Sequence, residues 1–311
     1  MNGVLTVLGL LVTGFIVLAV PSMVTPFADE YGGFTGFDAA KAVLLCAFLA
    51  TIASIVFSRN RDHGQFLVKI FIAALLIRVL LGAVIFAFNA RDFFGADAIH
   101  YDYFGQAQLA AWQGDRYFSL LMRVYISGAL AGAWGMVYMV AAIYALLGRN
   151  ALAVQMVVAV MGAATAPLIY LCALHVFGNT RVARFSAFAV AFYPSLVLWS
   201  SQGLKDGPIV FFLALAILAT LKLGQKFSVK YLAILIFALF AVLTFRFYVF
   251  YMIMAAVGGA FVIGMQRLNA TNFLRQFLII IMIGIALTYL GVMRYANVQL
   301  GYYSNLETVH G

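Results

Sequence analysis

The chain has 311 residues, of which 66% are hydrophobic, 15% aromatic and only 9% charged, with a mean hydropathy of +1.05. Soluble domains run at about 45–50% apolar and about 25% charged, so a water-soluble enzyme, a disordered chain and a nucleic-acid binder are excluded. The net charge of +9 comes from basic residues standing singly or in small groups between apolar runs, which is how topology signals are laid out.

Apolar stretches of about 17–25 residues mark membrane helices. In chain order they fall at 4–20, 39–57, 66–88, 151–177, 182–199, 208–223, 229–245, 247–265 and 273–291. They predict an all-α polytopic transmembrane bundle of about 9–10 helices, a single integral-membrane domain over 1–311. The run 4–20 lacks a basic leader and a small-residue cleavage site, so it is expected to be a retained helix and not a signal peptide. Cys46 and Cys172 both fall inside apolar runs, which argues against a disulfide framework. Two polar connections stand out. One, 21–38, holds Pro21, Pro26, Asp29, Glu30 and Asp38; the other, 89–121, holds Asp92, Asp97, Asp102 and Asp115.

Basic loops orient the bundle. Those with Arg59, Arg61 and Lys69, with Arg181 and Arg184, with Lys222, Lys226 and Lys230, and with Arg267 and Arg275 are expected on the cytoplasmic side. The acidic 89–121 loop then lies outside. Counting crossings from both ends makes 122–147 begin and end on the same face, as a juxtamembrane segment broken within Ala131-Gly132-Ala133-Trp134-Gly135. The alternative is a plain crossing that leaves Arg181 and Arg184 outside.

Ionisable groups near hydrocarbon are costly, so they direct attention to function. Asp97 follows a membrane helix and opens an amphipathic, interfacial stretch, 103–114. His100 and Tyr101 lie three and four residues on, on the same helical face. Asp97 is also the residue type that caps a helix N-terminus. Lys205 and Asp206, in Ser200-Ser201-Gln202-Gly203-Leu204-Lys205-Asp206-Gly207-Pro208, are expected at the outer water boundary, where Asp206 also suits an N-cap and Pro208 a first turn. Arg78 sits in the middle of 66–88, either facing a substrate path or bridging helices. Arg246 separates two apolar runs beside Tyr248; its forked donors suit a lipid phosphate or simple interfacial anchoring. Asp97, His100 and Asp102 are oxygen and nitrogen donors close in sequence, but no zinc spacing is present, so a divalent metal has no support. No P-loop or dinucleotide fingerprint occurs.

The order of these features resembles the GT-C membrane glycosyltransferases, in the branch of the protein O-mannosyltransferases and the aminoarabinose transferases (glycosyltransferase family 39-like). It runs from a helix with Arg78 through Asp97-x-x-x-Tyr101 and an amphipathic helix ending at Gly114, to Leu147-Gly148-Arg149-Asn150. Val176-Phe177-Gly178-Asn179-Thr180-Arg181-Val182-Ala183-Arg184, Phe192-Tyr193-Pro194-Ser195, Lys205-Asp206 and Arg246-Phe247-Tyr248 follow. The GT-C-like core covers 66–265, including the loop 89–121 and the segment 122–147. The family's acidic pair is reduced here to Asp97 followed by Ala98, and the chain reads as a compact member.

The resemblance implies a hexosyl- or pentosyltransferase that moves a sugar from a polyprenyl-phosphate donor to a glycan, lipid or protein acceptor. Asp97 would be the catalytic base, with Tyr101, Lys205, Asp206, Arg246, Tyr248, Arg78 and His100 binding substrate. Membrane lipids are the other expected partners. The expected location is a prokaryotic cytoplasmic (inner) membrane, with the site facing outward; no cofactor is called for, and a divalent metal stays open without support. Two other functions fit the residues: a transporter or flippase of a lipid-linked or anionic substrate, and a non-catalytic membrane subunit. The lack of visible internal symmetry counts against transport.

Overall fold

The computed structural model describes residues 19–20, 34–88, 90, 93, 97–127 and 134–263. Within them the chain forms eleven helices and no strand. These are α1 (Gly36–Ser58), α2 (Gly64–Ala87), α3 (Asp97–Trp112), α4 (Arg116–Ser127), α5 (Trp134–Leu147), α6 (Ala151–Phe177), α7 (Thr180–Phe192), α8 (Pro194–Ser200), α9 (Asp206–Gln225), α10 (Val229–Phe245) and α11 (Phe247–Ile263). The helices α1, α2, α6 and α9 are long and apolar enough to cross a membrane, and α7 with α8 make a bent fifth. The helices α5, α10 and α11 are apolar but shorter. The expected spans 4–20 and 273–291, and the loop with Arg267 and Arg275, lie outside the described residues.

The axis of the bundle is α6, which packs against α1, α2, α7, α8 and α9. Its sequence explains the position: Ala153, Ala159, Gly162, Ala163 and Ala166 are buried, and small side chains let neighbouring helices approach closely in a membrane. Both ends are fixed. Asn150 Oδ1 accepts from the Ala153 N–H at 3.0 Å, while its Nδ2 donates to the Asp38 carbonyl at 2.7 Å and ties α6 to α1. Gly178 closes the helix at φ +62°, a left-handed conformation that glycine adopts without steric cost.

Two expectations need correcting, the single span 182–199 and the break placed at Trp134-Gly135. The span 182–199 is not one helix but α7 and α8, bent by 53°. Pro194 has no N–H to continue the ladder and pushes Tyr193 into an extended conformation (φ −62°, ψ 119°). In the stretch that leads from α8 to α9, Ser200, Ser201 and Gln202 are at most 3% exposed, while the Lys205 and Asp206 side chains are 15% and 37% exposed. The stretch packs on α2 at Gly82, where a Cβ would lie 2.6 Å from the Ser201 carbonyl oxygen. Finally, Trp134 and Gly135 belong to α5 and are not part of a break; Ala131–Ala133 lie outside the described residues.

The segment 122–147 is thus shared between α4 and α5, and both pack on α3. The 14 residues of α5 span about 21 Å, short of the roughly 30 Å hydrocarbon core. Just beyond α5, Arg149 Nη2 meets Asp102 Oδ2 of α3 at 2.9 Å. Both flanks of the segment are therefore tied to the same helix.

Candidate active site

A cavity of about 660 Å³ opens between α2, α3, α6, the α7–α8 bend and the start of α9. Val190, Leu196, Trp199 and Val210 give it apolar walls, and Arg78, Asp97, Asp206 and Arg246 bring charge to it. The last three are spread over a stretch in which Asp97 and Arg246 stand 149 positions apart, and the bundle brings them to one end.

Asp97 is the first residue of α3. Among the described residues its carboxylate caps nothing, unlike Asp115, Asn150 and Asn179, which accept from backbone N–H groups of their helices. Instead Asp97 Oδ2 faces Lys205 Nζ at 3.7 Å, with the Asp97 side chain 65% exposed. The Lys205 ammonium also lies 5.4 Å from the centre of the Tyr101 ring, a cation–π distance. Tyr101 is buried. That burial, together with the nearby Asp97 and Asp206 charges, pushes its hydroxyl above the usual tyrosine range, so it stays protonated and available as a donor.

Asp206 opens α9, whose N-cap is Lys205; the expected N-cap role of Asp206 therefore does not hold. Its place in the first turn still suits a carboxylate, because the helix dipole presents positive charge there. Asp206 Oδ1 is 3.3 Å from Arg246 Nη1. Arg246 occupies the extended break between α10 and α11, and its guanidinium lies over the Tyr248 ring at 5.5 Å. Lys205 and Asp206 thus reach in opposite directions, each to a partner of opposite charge.

Arg78 is 1% exposed and deep in the cavity, while Asp97 stands at its mouth. Its Nε donates to Ser200 Oγ at 2.8 Å. Its Nη1 donates to the carbonyls of Ala74 at 2.9 Å and Ala191 at 2.8 Å. The expected bridge between helices is therefore real, and the same side chain also lines the cavity.

Four expected residues do not line the cavity: Lys205 adjoins it through Asp97, Tyr101 lines a smaller pocket with Asp102 and Tyr144, and His100 and Tyr248 are drawn elsewhere. His100 does not line the cavity. Its Nε2 meets the Tyr125 hydroxyl at 3.2 Å and its ring packs 4.5 Å from Phe104, so the three aromatic rings hold α3 against α4. Tyr248 touches the site only through Arg246. Asp102 turns away from Asp97: it accepts from Tyr144 Oη at 2.5 Å and from Arg149 Nε at 3.2 Å and Nη2 at 2.9 Å. The Asp102 hydrogen bond holds Arg149 above its usual range. Asp97, His100 and Asp102 form no common ligand set, and no cluster of three metal-ligating side chains occurs among the described residues.

Sequence reasoning missed Ser200 as the partner of Arg78, Gly162, and the Asp102–Tyr144–Arg149 group. Only Gly162 left a trace, as a glycine within an apolar run; a Cβ there would run into Ser200 and come within 3.2 Å of Arg78 Nε.

The fold defines an integral membrane protein with a charged cavity at one end of its helices. The sequence profile of the dolichyl-phosphate-mannose-protein mannosyltransferase family matches residues 133–290, about half of the chain, and the chain belongs to that family. It is a membrane glycosyltransferase of GT-C type. The matched stretch includes Lys205, Asp206, Arg246 and Tyr248, and begins beyond Arg78, Asp97, His100 and Tyr101. No curated protein and no solved structure gives a significant match to the chain.

Proposed function

We propose that the chain transfers a sugar from a polyprenyl-phosphate donor to an acceptor hydroxyl on the extracytoplasmic face of a prokaryotic cytoplasmic membrane, with 66–265 as the working core. The observation that carries the reading is the position of Asp97: a carboxylate at the mouth of a cavity that Asp206, Arg246 and Arg78 also line, with Lys205 3.7 Å from its Oδ2. Asp97 takes the proton from the acceptor hydroxyl as general base. The acceptor oxygen then bonds to the anomeric carbon. The bond from that carbon to the phosphate oxygen breaks, and polyprenyl phosphate leaves with the electron pair, so configuration inverts. Lys205 and Arg246 stabilise the charge that grows on the leaving phosphate, an electrostatic contribution that a pre-set cation makes without reorganisation. Tyr101 holds Lys205 through its ring face, Asp206 and Tyr248 hold Arg246 in place, and His100 fixes α3 through Tyr125.

Orientation is supported by charge. Arg59, Arg61, Arg181, Arg184, Lys222, Lys226 and Lys230 flank one set of helix ends, and Asp97, Asp206 and Arg246 the other, as the positive-inside bias requires for an outward-facing site. The test is reconstitution in proteoliposomes with radiolabelled polyprenyl-phosphate sugar. Transfer to an acceptor is the expected result. Transbilayer movement of the donor without transfer would assign a transporter instead, and inertness toward the donor would leave a non-catalytic subunit.

A further inference from the structure

Lys205 and Asp206 are neighbours in sequence, yet one reaches Asp97 at 3.7 Å and the other Arg246 at 3.3 Å. Both contacts depend on where α9 begins. Only residues 201–205 join the end of α8 to the start of α9, so whatever fixes the end of α8 also fixes the two charged pairs.

Three glycines from three helices close on that point. A Cβ on Gly162 of α6 would stand 2.6 Å from Ser200 Oγ, and one on Gly207 of α9 3.3 Å from Ser200 Cβ. A Cβ on Gly82 of α2 would stand 2.6 Å from the Ser201 carbonyl oxygen. Ordinary contact begins at 3.4 Å, so the missing side chains are what lets the helices approach so closely. Hydrogen bonds lock the same turn. Ser200 Oγ donates to the Leu196 carbonyl and accepts from Arg78 Nε at 2.8 Å. Ser201 Oγ donates to the Val197 carbonyl at 2.7 Å, and Gln202 Nε2 to the Leu198 carbonyl at 3.2 Å. The last carbonyls of a helix lack helical donors, and burial of Ser200, Ser201 and Gln202 removes water as a substitute. These three side chains supply the donors that the end of α8 needs.

We infer that Ser200 is a positioning residue for the reaction: clamped by Gly162 and Gly207 and bonded to Arg78, it sets where Lys205 and Asp206 stand, and through them the spacing of Asp97 and Arg246. The inference rests on the reading of Asp97 as base and of Lys205 and Arg246 as the cations at the leaving phosphate. The structure gives its scale. A Cβ on Gly162 obliges Ser200 Oγ to retreat from 2.6 Å to 3.4 Å, a shift of about 0.8 Å that the short connection passes to Lys205. Misplacing a reacting group by about 1 Å costs on the order of 10²-fold in rate.

The experiment measures kcat and donor KM with radiolabelled polyprenyl-phosphate mannose, on full-length protein in nanodiscs, beside thermal unfolding. Gly162→Ala should lower kcat by about 10- to 100-fold. Donor KM should move by less than about threefold, because Arg246 keeps its charge and its seat over Tyr248. Gly64→Ala is the control. It lies at the start of α2, where a Cβ would meet the Ser58 carbonyl oxygen at 2.8 Å, so it should lose stability but keep kcat. Ser200→Gly removes the atoms that Gly162→Ala runs into. In that background Gly162→Ala should cost less than about threefold further, a coupling expected of residues in contact. If Gly162→Ala does not fold, Ser200→Ala, which adds no atom and releases Arg78 Nε and the Leu196 carbonyl, should give the same split between kcat and KM. An equal loss of kcat in Gly64→Ala, or an undiminished loss in the Ser200→Gly background, overturns the inference.

The geometry is also read without turnover. With Cys46 and Cys172 changed to alanine, Asp97→Cys and Lys205→Cys should be joined by a short bifunctional thiol reagent. Adding Gly162→Ala should cut the yield severalfold, and adding Gly64→Ala should not; equal yields overturn the inference. A wild-type protein that never turns over the donor, with yields that still differ as expected, would sink the donor reading and leave Ser200 placing the two side chains.

Discussion

Replacing Asp97 by asparagine separates what this carboxylate does for the fold from what it does for the reaction. Among the described residues its one charged contact is Lys205 at 3.7 Å, and its side chain is 65% exposed. Exposed pairs of this kind contribute about 0.2–1 kcal/mol, and no capping bond is lost because Asp97 makes none among the described residues. Stability should therefore fall by less than about 1 kcal/mol. Losing a general base costs a factor of about 10²–10⁴ in turnover, equivalent to roughly 3–5 kcal/mol of barrier. The two magnitudes do not overlap, so the outcome is decisive. Removing one negative charge from the site should leave donor affinity unchanged or tighten it. The assay is sugar transfer by purified protein in nanodiscs, with donor binding and thermal unfolding measured on the same preparation. An Asp97→Asn protein that turns over within about threefold of wild type would refute the assignment, because no general base contributes so little.

Arg246→Ala should weaken donor binding by about 1–3 kcal/mol, the range for hydrogen bonds to charged groups, since it also leaves Asp206 unpaired toward the phosphate; titration with the donor checks this. Asp102→Asn should lower stability by about 1–2 kcal/mol through loss of charge-assisted bonds to Arg149 and Tyr144, with donor affinity spared because Asp102 is outside the main cavity; thermal unfolding and donor binding read the two effects. Single cysteines at 97, 149, 206 and 246 should label from one side of the membrane and those at 59, 181 and 226 from the other. Labelling of 97 and 149 from opposite faces would contradict the non-crossing path of 122–147.

Membrane insertion and helix content were determined by composition alone. A chain this apolar must satisfy every backbone group within its own segments, and helices are the way an open chain does so in lipid. Local signals were legible as well: Asn150 and Gly178 bound α6, and Pro194 divides α7 from α8, although hydropathy, which does not register backbone geometry, merged the two into one span. The candidate site was legible only as a set of residue types at one topological end, because positive-inside counting places loops on a face without stating which loops meet. That Lys205 turns to Asp97 and Asp206 to Arg246 depended on where α9 begins, and His100 was taken from the cavity by Tyr125, a residue 25 positions away. Tertiary packing alone decided that Arg78 both holds the bend and lines the cavity, since sequence records that a cation is present in a span but not which neighbours it meets.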